Sequence, residues 1–255
     1  MDRAAPGVDW KDAAAYAPLI GADRSIHAWE WLRRDPAYRE AARFGRAGRP
    51  GTGSSQPGDW GLHAFEPPER AAPNARPLWV AAVHPPVLAA VAEPPVLAKD
   101  AFDIARLEPL VTVLGGASGS EHLLISDGLR AIRIDILAGS VRPGPALLRY
   151  LIGGLESADR PLLTLRRLLA LCRGGGFSTG LHPPETRARR FILMLRASDA
   201  LAAGATQREI AATLLSAEAS SARWRVSAPT LRARAQRLVR GARLMAVGGY
   251  RSLLG

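Results

Sequence analysis

Residues 227–245 read SAPTLRARAQRLVRGARLM, and this stretch has two different faces when it is wound as a helix. At about 100° per residue its apolar side chains fall within roughly one quarter of the circumference. They are Leu231, Ala235, Leu238, Ala242 and Met245. The opposite side carries Arg232, Arg234, Arg237, Arg240 and Arg243. We therefore predict an amphipathic helix whose apolar stripe packs on a core and whose arginines face water or a polyanion.

The charge balance of the chain also points to an acidic partner. The 255 residues carry a formal net charge of +11 at pH 7. Residues 185–255 contain 13 arginines and 4 acidic residues, a balance of +9, whereas residues 1–184 carry only +2. Arginine makes up 32 of the 34 basic residues, so the choice of Arg over Lys is a chain-wide bias and only the excess charge is informative. Such an excess favours nucleic acid, an anionic membrane surface or an acidic protein.

Composition places the chain among ordinary globular proteins. It is 47% hydrophobic, and its length suits one large or two small domains. The single cysteine, Cys172, excludes a disulfide within the chain and a thiolate metal site. The N-terminus has no apolar segment of signal-peptide type, and no run approaches the roughly 18 apolar residues of a membrane span. We expect a cytoplasmic, nucleoid-associated protein without a membrane partner.

The first part of the chain is predicted to be a short helical, aromatic-rich docking domain over residues 1–44. One helix is expected near Tyr16, a second over 25–34 with Ser25 as its N-cap, and a third over 36–44 with Asp35 as its N-cap before Pro36. Residues 45–59, GRAGRPGTGSSQPGD, lack an apolar period and predict a flexible linker.

Residues 60–140 form a proline-rich segment with β-strands in our interpretation. Two candidate strands, 60–65 and 78–83, lie among prolines, and residues 110–114 form a short β-prone run. Residues 122–126 and 129–136 flank Asp127-Gly128, a two-residue hairpin turn signal. Alternation along the second of these predicts one buried face, with Ile132, Ile134 and Ile136, and one wet face, with Arg133 and Asp135.

Residues 141–255 are predicted to be a helical DNA-binding domain. Helices are expected over 145–152, over 160–172 up to the glycines at 174–176, and from 184 to about 203. Thr206 and Glu209 form the pattern of a capping box that opens the next helix. The predicted class is thus α+β, mainly α, with a small antiparallel sheet in the middle.

The last two helices have the order of a helix-turn-helix with a long turn. The usual turn has about 3–4 residues, whereas the connection here, from 217 to 227, has about ten. Such a turn still seats the second helix in a major groove if Trp224 anchors it to the core. The arginines then contact phosphates and guanine edges. A solvated arginine face on an ordinary surface helix remains the alternative.

We find no pattern that indicates catalysis or a cofactor. The five histidines lack metal-ligand spacing, and we expect no metal site; they are His27, His63, His84, His122 and His182. Residues 174–180, GGGFSTG, lack the Gly-Lys-Ser/Thr ending of a phosphate loop and are interpreted as a helix stop. Cys172 lies on the apolar side of its helix and is expected to be a buried small hydrophobe. We therefore predict that the chain is not an enzyme.

Both ends of the chain resemble one family. Residues 9–42, DWKDAAAYAPLIGADRSIHAWEWLRRDPAYREAA, are similar to the short N-terminal domain of a proteobacterial family whose function was long unknown. The second domain of that family is similar to RPLLTLRRLLALCRGGGF at 160–177, LHPPETRARRFILMLRASDALAAGATQREIAATLL at 181–215, and WRV followed by LRARAQRLVRGARLMAVGGYRSLL up to 254.

The resemblance implies an extended-turn helix-turn-helix that binds DNA through a positive face and packs against the N-terminal domain on the opposite face. Two-domain relatives activate genes for excision and conjugative transfer of integrative and conjugative elements, and so promote horizontal gene transfer. Single-domain relatives with an acidic surface are antiactivators that capture the activator's N-terminal domain. The basic helix of this chain is similar to that of the activators.

From these arguments we expect a transcription regulator that binds promoter or operator DNA as a double strand, with RNA polymerase and an acidic single-domain antiactivator as further partners. The expected DNA contacts are Arg232, Arg237, Arg240 and Arg243, flanked by Thr230 and Arg234, with phosphate contacts at Arg208, Arg223 and Arg225. The expected docking residues of the N-terminal domain are Trp29, Trp31 and Tyr38. The alternative is an interaction protein that does not bind DNA and uses the same basic face for an acidic partner.

Overall fold

The computed structural model describes residues 8–46, 56–116, 119–221 and 223–255. Contacts divide the chain into two compact units, each built from separate stretches of sequence. The first, here called the helical unit, consists of Met1–Gln56, Pro67–Ala72 and Pro184–Leu254. The second, the sheet unit, consists mainly of Pro57–Glu66 and Pro73–Pro183. The fold class is confirmed as α+β with more helix than strand.

The helical unit begins with a 3₁₀ helix, Ala14–Gly21, followed by α1, Arg24–Leu32, and α2, Pro36–Arg46. Asp12 Oδ1 accepts a hydrogen bond from the Ala14 N–H at 2.8 Å, and Asp35 Oδ1 accepts one from the Ala37 N–H at 2.8 Å. The expected cap at Ser25 is wrong, because α1 begins two residues earlier, after Asp23, and Ser25 is buried inside it.

The sheet unit contains six strands in the order β2-β6-β1-β5-β4-β3. Their bounds are β1 Val87–Glu93, β2 Ala101–Phe102, β3 Val111–Gly115, β4 Glu121–Ser126, β5 Ala131–Ala138 and β6 Ala146–Leu151. The described strand pairs are antiparallel except β1 with β5, which is parallel. The sheet is therefore larger than the predicted hairpin and mixed in direction.

Two elements of this sheet depart from the sequence prediction. The helix predicted over 145–152 is wrong, because these residues form β6, paired between β1 and β2. Burial alternates along Ala146, Leu147 and Leu148, as expected for a strand. The pairing of this strand with β1 and β2 outweighs the helix propensity of leucine. The prolines at 85, 86, 94 and 95 flank β1 without interrupting it, so the proline-rich region supplies a central strand.

The loop between β4 and β5 is also longer than predicted. Ser126 pairs with Ala131, so four residues connect the strands instead of Asp127-Gly128 alone. Asp127 Oδ1 accepts hydrogen bonds from the Leu129 and Arg130 N–H groups and holds the loop. Gly128 has φ of 92°, and a Cβ there would lie 1.6 Å from the Pro73 carbonyl oxygen. Only glycine fits this close approach of two chain segments.

Both faces of the sheet are covered. Helix α3, Asp159–Gly174, lies on one face and places Leu168 and Leu171 in the core with the inward side chains of β5. The expected wet face is wrong, because Arg133 is only 2% exposed and donates a hydrogen bond to the Trp79 carbonyl oxygen. The strands predicted at 60–65 and 78–83 are wrong, because these residues form only an isolated bridge, Leu62 with Trp79.

Helix α3 ends as the glycines predict. Gly175 adopts φ of 70°, and its N–H donates to the Leu171 carbonyl oxygen. The expected burial of Cys172 is wrong, because this last turn of α3 is exposed beyond Leu171. None of the helices in the described ranges is both long and apolar enough to cross a membrane.

The C-terminal helices complete the helical unit. They are α4 Ala188–Ala202, α5 Gln207–Leu214, α6 Trp224–Ser227 and α7 Pro229–Ala246, followed by a 3₁₀ helix, Gly249–Leu253. Helix α4 packs against α7, α5 and α1. The approach of α4 to α7 is close, since a Cβ at Gly241 would lie 2.8 Å from the Met194 sulfur.

The contact units and the predicted domains divide the chain differently. Residues 141–183 lie in the sheet unit, although the sequence assigns them to the DNA-binding domain. Most of the predicted linker at 45–59 lies outside the described residues. The predicted domain boundaries stay predictions.

Candidate nucleic-acid interface

Helix α5 begins at the capping box that the sequence predicts. Thr206 Oγ1 accepts a hydrogen bond from the Glu209 N–H at 3.3 Å, and Glu209 Oε2 accepts one from the Thr206 N–H at 2.7 Å. These hydrogen bonds lower the pKa of Glu209. Ile210 and Ala211 are fully buried and fix the inward face of α5, which leaves Arg208 exposed.

The described residues of the long turn between α5 and α7, 215–221 and 223–228, form short helices that pack on a small core. These are a 3₁₀ helix, Ala217–Ser220, and the short helix α6. Trp224 is 1% exposed and packs in a cluster whose other buried members are Ala211, Ala219, Leu231 and Ala235. This cluster joins α5, the turn and α7. Trp224 is thus packed against α5 and α7, which is the condition that the sequence argument set for an extended turn of this length.

Helix α7 starts with Pro229 at its first turn and runs for 18 residues. Its buried stripe consists of Leu231, Ala235, Val239, Ala242 and Met245. Leu238, which the sequence places in the stripe, is half-buried. A helix that packs against α4 on one flank and α5 on another buries a wider arc than one quarter of its circumference, and this brings Val239 into the core.

The opposite side of α7 carries the arginines of the sequence prediction, here called the arginine face. Its members, all exposed, are Arg232, Arg234, Arg237, Arg240 and Arg243. Within the part of the chain that the structure describes, none of them forms an ion pair. Their charges are thus unneutralised, and they extend along about 16 Å of helix from Arg232 to Arg243. A helix of about 10–12 Å diameter fits a major groove about 12 Å wide.

The remaining predicted contacts lie on elements that pack against α7. Thr230 is exposed in the first turn of α7, Arg208 is exposed on α5, and Arg223 is exposed next to Trp224. The side chain of Arg225 lies outside the described part of the chain. The assignment of all these residues to DNA contact stays a prediction.

The predicted docking residues are inside the helical unit and not on its surface. Trp29, Trp31 and Tyr38 are 0%, 3% and 0% exposed. Trp29 and Tyr38 meet edge to face, with ring centroids 5.7 Å apart. The Trp29 indole N–H donates to the Arg70 carbonyl oxygen at 2.9 Å, so Trp29 holds the segment Pro67–Ala72. Their role in docking onto the C-terminal helices stays a prediction.

A buried polar contact that the sequence reasoning missed joins the N-terminal segment to α4. Tyr16 Oη donates to Asp199 Oδ2 at 2.7 Å. Arg34 donates from Nε to Asp199 Oδ1 at 2.7 Å and from Nη2 to Oδ2 at 2.9 Å. Asp199 is 4% exposed. One signal was present, because Asp199 stands within a helix that the sequence predicts to be buried, and a buried acid needs partners.

Glu30 extends this contact to the segment Pro67–Ala72. Glu30 Oε2 accepts from Arg33 at 2.9 Å and from Arg34 at 2.6 Å, and Oε1 accepts from the Ala72 N–H at 2.8 Å. Burial alone would raise the pKa of Glu30, but Arg34, Arg33 and the Ala72 N–H hold it below its ordinary value. Burial opposes the charge of Arg34, yet Asp199 and Glu30 raise its pKa. The buried group therefore contains two negative charges, on Glu30 and Asp199, and two positive charges, on Arg33 and Arg34.

Two family models match the chain. Residues 9–63 match the proteobacterial transcriptional regulator-like domain, and residues 155–255 match a domain described as T6SS, transcription factor, DNA binding domain. The second match contains α5, the extended turn and α7. Searches of curated proteins and of solved structures found no match to this chain. Both matched domains are described as parts of transcription regulators, which favours a regulator over an enzyme.

Proposed function

We propose that this chain, a two-domain transcription factor with a proteobacterial regulator-like domain followed by a DNA-binding domain, binds promoter or operator DNA through the arginine face of α7. In this proposal α7 lies in the major groove. Arg232, Arg237, Arg240 and Arg243 contact DNA directly, with Thr230 and Arg234 beside them. Arg208, Arg223 and Arg225 contact phosphates at the edge of the interface.

The observation that carries the proposal is the division of α7 into a buried stripe and the arginine face. The stripe fixes the helix against α4 and α5, so the arginines are presented from a rigid support. DNA supplies closely spaced phosphates that neutralise them, and release of counterions drives the binding. A guanidinium also binds the O6 and N7 acceptors of guanine with two hydrogen bonds, which provides sequence readout.

The proposal also names two candidate sets of regulated genes. The resemblance of both ends of the chain to regulators of integrative and conjugative elements supports activation of excision and transfer genes. The description of the C-terminal match names T6SS, which supports genes of that system as the other candidate target. RNA polymerase and an acidic antiactivator that binds the N-terminal domain are the further partners that we propose for the first of these roles.

A footprint of the full chain on DNA tests the proposal. The probes are the upstream region of its own gene and upstream regions of excision, conjugation and T6SS genes, with a shuffled fragment of equal length as control. We expect protection of a discrete site on at least one upstream region and none on the shuffled fragment. Equal, unlocalised binding to all fragments, or no binding, contradicts sequence-specific regulation. Absent DNA binding together with capture of an acidic protein establishes the alternative, a non-DNA interaction protein.

A further inference from the structure

The sheet unit brings together three side chains of metal-ligand type that are far apart in sequence. His63, His122 and Asp135 each offer one ligand atom, and these atoms lie within 4.8 Å of one another. The histidines lack metal-ligand spacing along the chain, so the sequence alone predicts no metal site. The fold brings His63, His122 and Asp135 close together although they are distant in sequence.

Two of the three residues are held by the sheet itself. His122 on β4 and Asp135 on β5 are direct partners in the antiparallel ladder, so their side chains stand on the same face. His122 Nδ1 and Asp135 Oδ1 are 2.8 Å apart. Both side chains are mostly covered, with 16% and 14% exposure. The same face of β5 carries Arg133, which bonds to the Trp79 carbonyl oxygen, whereas α3 packs on the opposite face.

The third residue is fixed by the covering segment. Leu62 forms a bridge with Trp79, and the His63 N–H donates to the Leu78 carbonyl oxygen at 2.9 Å. The His63 ring stacks on the His122 ring, with centroids 3.7 Å apart and planes 28° from parallel. His63 Nε2 is buried and has no hydrogen-bond partner among the described residues. A buried ring nitrogen without a partner carries a desolvation cost that a bound ligand would relieve.

We propose that His63, His122 and Asp135 bind a divalent first-row transition metal of the Zn²⁺ class. Two imidazole nitrogens and one carboxylate oxygen are a usual donor set for such an ion, whereas Mg²⁺ and Ca²⁺ prefer oxygen ligands. Three protein ligands leave a further coordination position for water or an outside ligand.

Arg133 modulates this site. Its guanidinium donates to Asp135 Oδ1 at 3.1 Å and to the Leu123 carbonyl oxygen at 2.9 Å, so it orients the carboxylate as an outer-shell group does. Its positive charge also opposes a cation nearby. We therefore expect binding weaker than that of a structural zinc site, and a fold that does not depend on the metal. The site lies in the sheet unit, and the inference does not rest on the proposed DNA binding.

Titration of the untagged, metal-stripped full chain with Zn²⁺ against a chromophoric chelator tests the proposal. We expect one Zn²⁺ per chain and no competition from Mg²⁺ or Ca²⁺. His63→Ala and His122→Ala should each lower the affinity roughly tenfold or more, since even outer-shell substitutions cost about that much. His84→Ala, which changes a histidine of the same unit outside the cluster, should bind as the wild type does.

A second measurement needs no variant and so holds even if a substitution prevents folding. In the histidine side-chain NMR spectrum of the wild-type chain, Zn²⁺ should shift or broaden the ring signals of His63 and His122 and leave those of His27, His84 and His182 in place. Absence of stoichiometric binding overturns the proposal. Unchanged affinity in both cluster variants, or shifts confined to the other histidines, also overturns it.

Discussion

Asp199 accepts hydrogen bonds from two residues of the N-terminal segment, Tyr16 and Arg34, although it lies in α4. Because both oxygens of its carboxylate are bound and buried, the contact is sensitive to the loss of either partner. Helix α4 also packs against α7, so this contact links the N-terminal segment to the element that carries the arginine face. We interpret Asp199 as one of several residues that join the two ends of the chain within the helical unit, beside Arg24 and Arg196.

Replacement of Asp199 should therefore destabilise the chain strongly. We expect Asp199→Ala to lower the free energy of unfolding by about 3–5 kcal/mol, because it leaves the buried Arg34 with too few counter-charges. The measurement is urea denaturation of Asp199→Ala, Arg34→Met and the double variant. The double variant should be less destabilised than the sum of the two single variants. Effects that simply add would show that the two side chains are not coupled.

Single residues were predictable where local periodicity decides their environment. The arginines of α7 are exposed as predicted, because they lie opposite a regular apolar stripe. Asp199 and Tyr16 were not predictable as a pair, since 183 positions separate them in the chain. The same holds for Arg133, whose burial depends on the distant Trp79. The DNA contacts of the individual arginines remain predictions.

The extended turn helps to fix the direction of α7, together with the packing of α7 on α4 and α5. Its two short helices are too short to be stable alone, and Trp224 supplies most of the side-chain volume that packs them between α5 and α7. A rigid turn presents α7 in one orientation, and DNA binding then needs little reorganisation. We therefore expect DNA affinity to depend on Trp224 although its side chain is buried.

Trp224→Ala tests this role of the turn. Loss of a buried tryptophan should cost about 3–5 kcal/mol of stability and should increase hydrogen exchange across residues 216–228. DNA affinity should fall with it, whereas Trp224→Phe, which keeps an aromatic ring in the cluster, should retain more of both. A Trp224→Ala chain that binds DNA with wild-type affinity would contradict the anchoring role.

Elements were predictable where their signals are local. The capping box at Thr206 and the glycine stop after α3 depend on residues within one turn, and both were found in the structure. Strands β1 and β6 depend on pairing with distant strands, so their sequences alone did not reveal them. Most residues of β6 are apolar, and such a short apolar run fits a helix as well as a strand until the neighbouring strands are known.

At the scale of the whole molecule, the two compact units are discontinuous in sequence. The helical unit gathers both ends of the chain and the short segment Pro67–Ala72, which Glu30, Arg33 and Trp29 hold. Composition along the chain can only predict consecutive domains. It therefore could not reveal that the segment Pro67–Ala72 belongs to the helical unit. The positive charge is concentrated in the helical unit, because residues 185–254, which belong to it, carry +9 of the net charge of +11.

The salt dependence of DNA binding tests directly whether the arginine face contacts phosphates. The comparison uses three chains on the same promoter fragment: wild type, Arg237→Ala/Arg240→Ala, and the control Arg43→Ala/Arg106→Ala. The control removes the same charge from exposed arginines outside the matched DNA-binding domain.

We expect the arginine-face variant to bind more weakly and to flatten the slope of log affinity against log salt concentration by roughly 2, the value for two lost phosphate contacts. The control should keep the wild-type slope, because general loss of charge does not remove phosphate contacts. Equal slopes for all three chains would contradict the assignment of the arginine face to DNA.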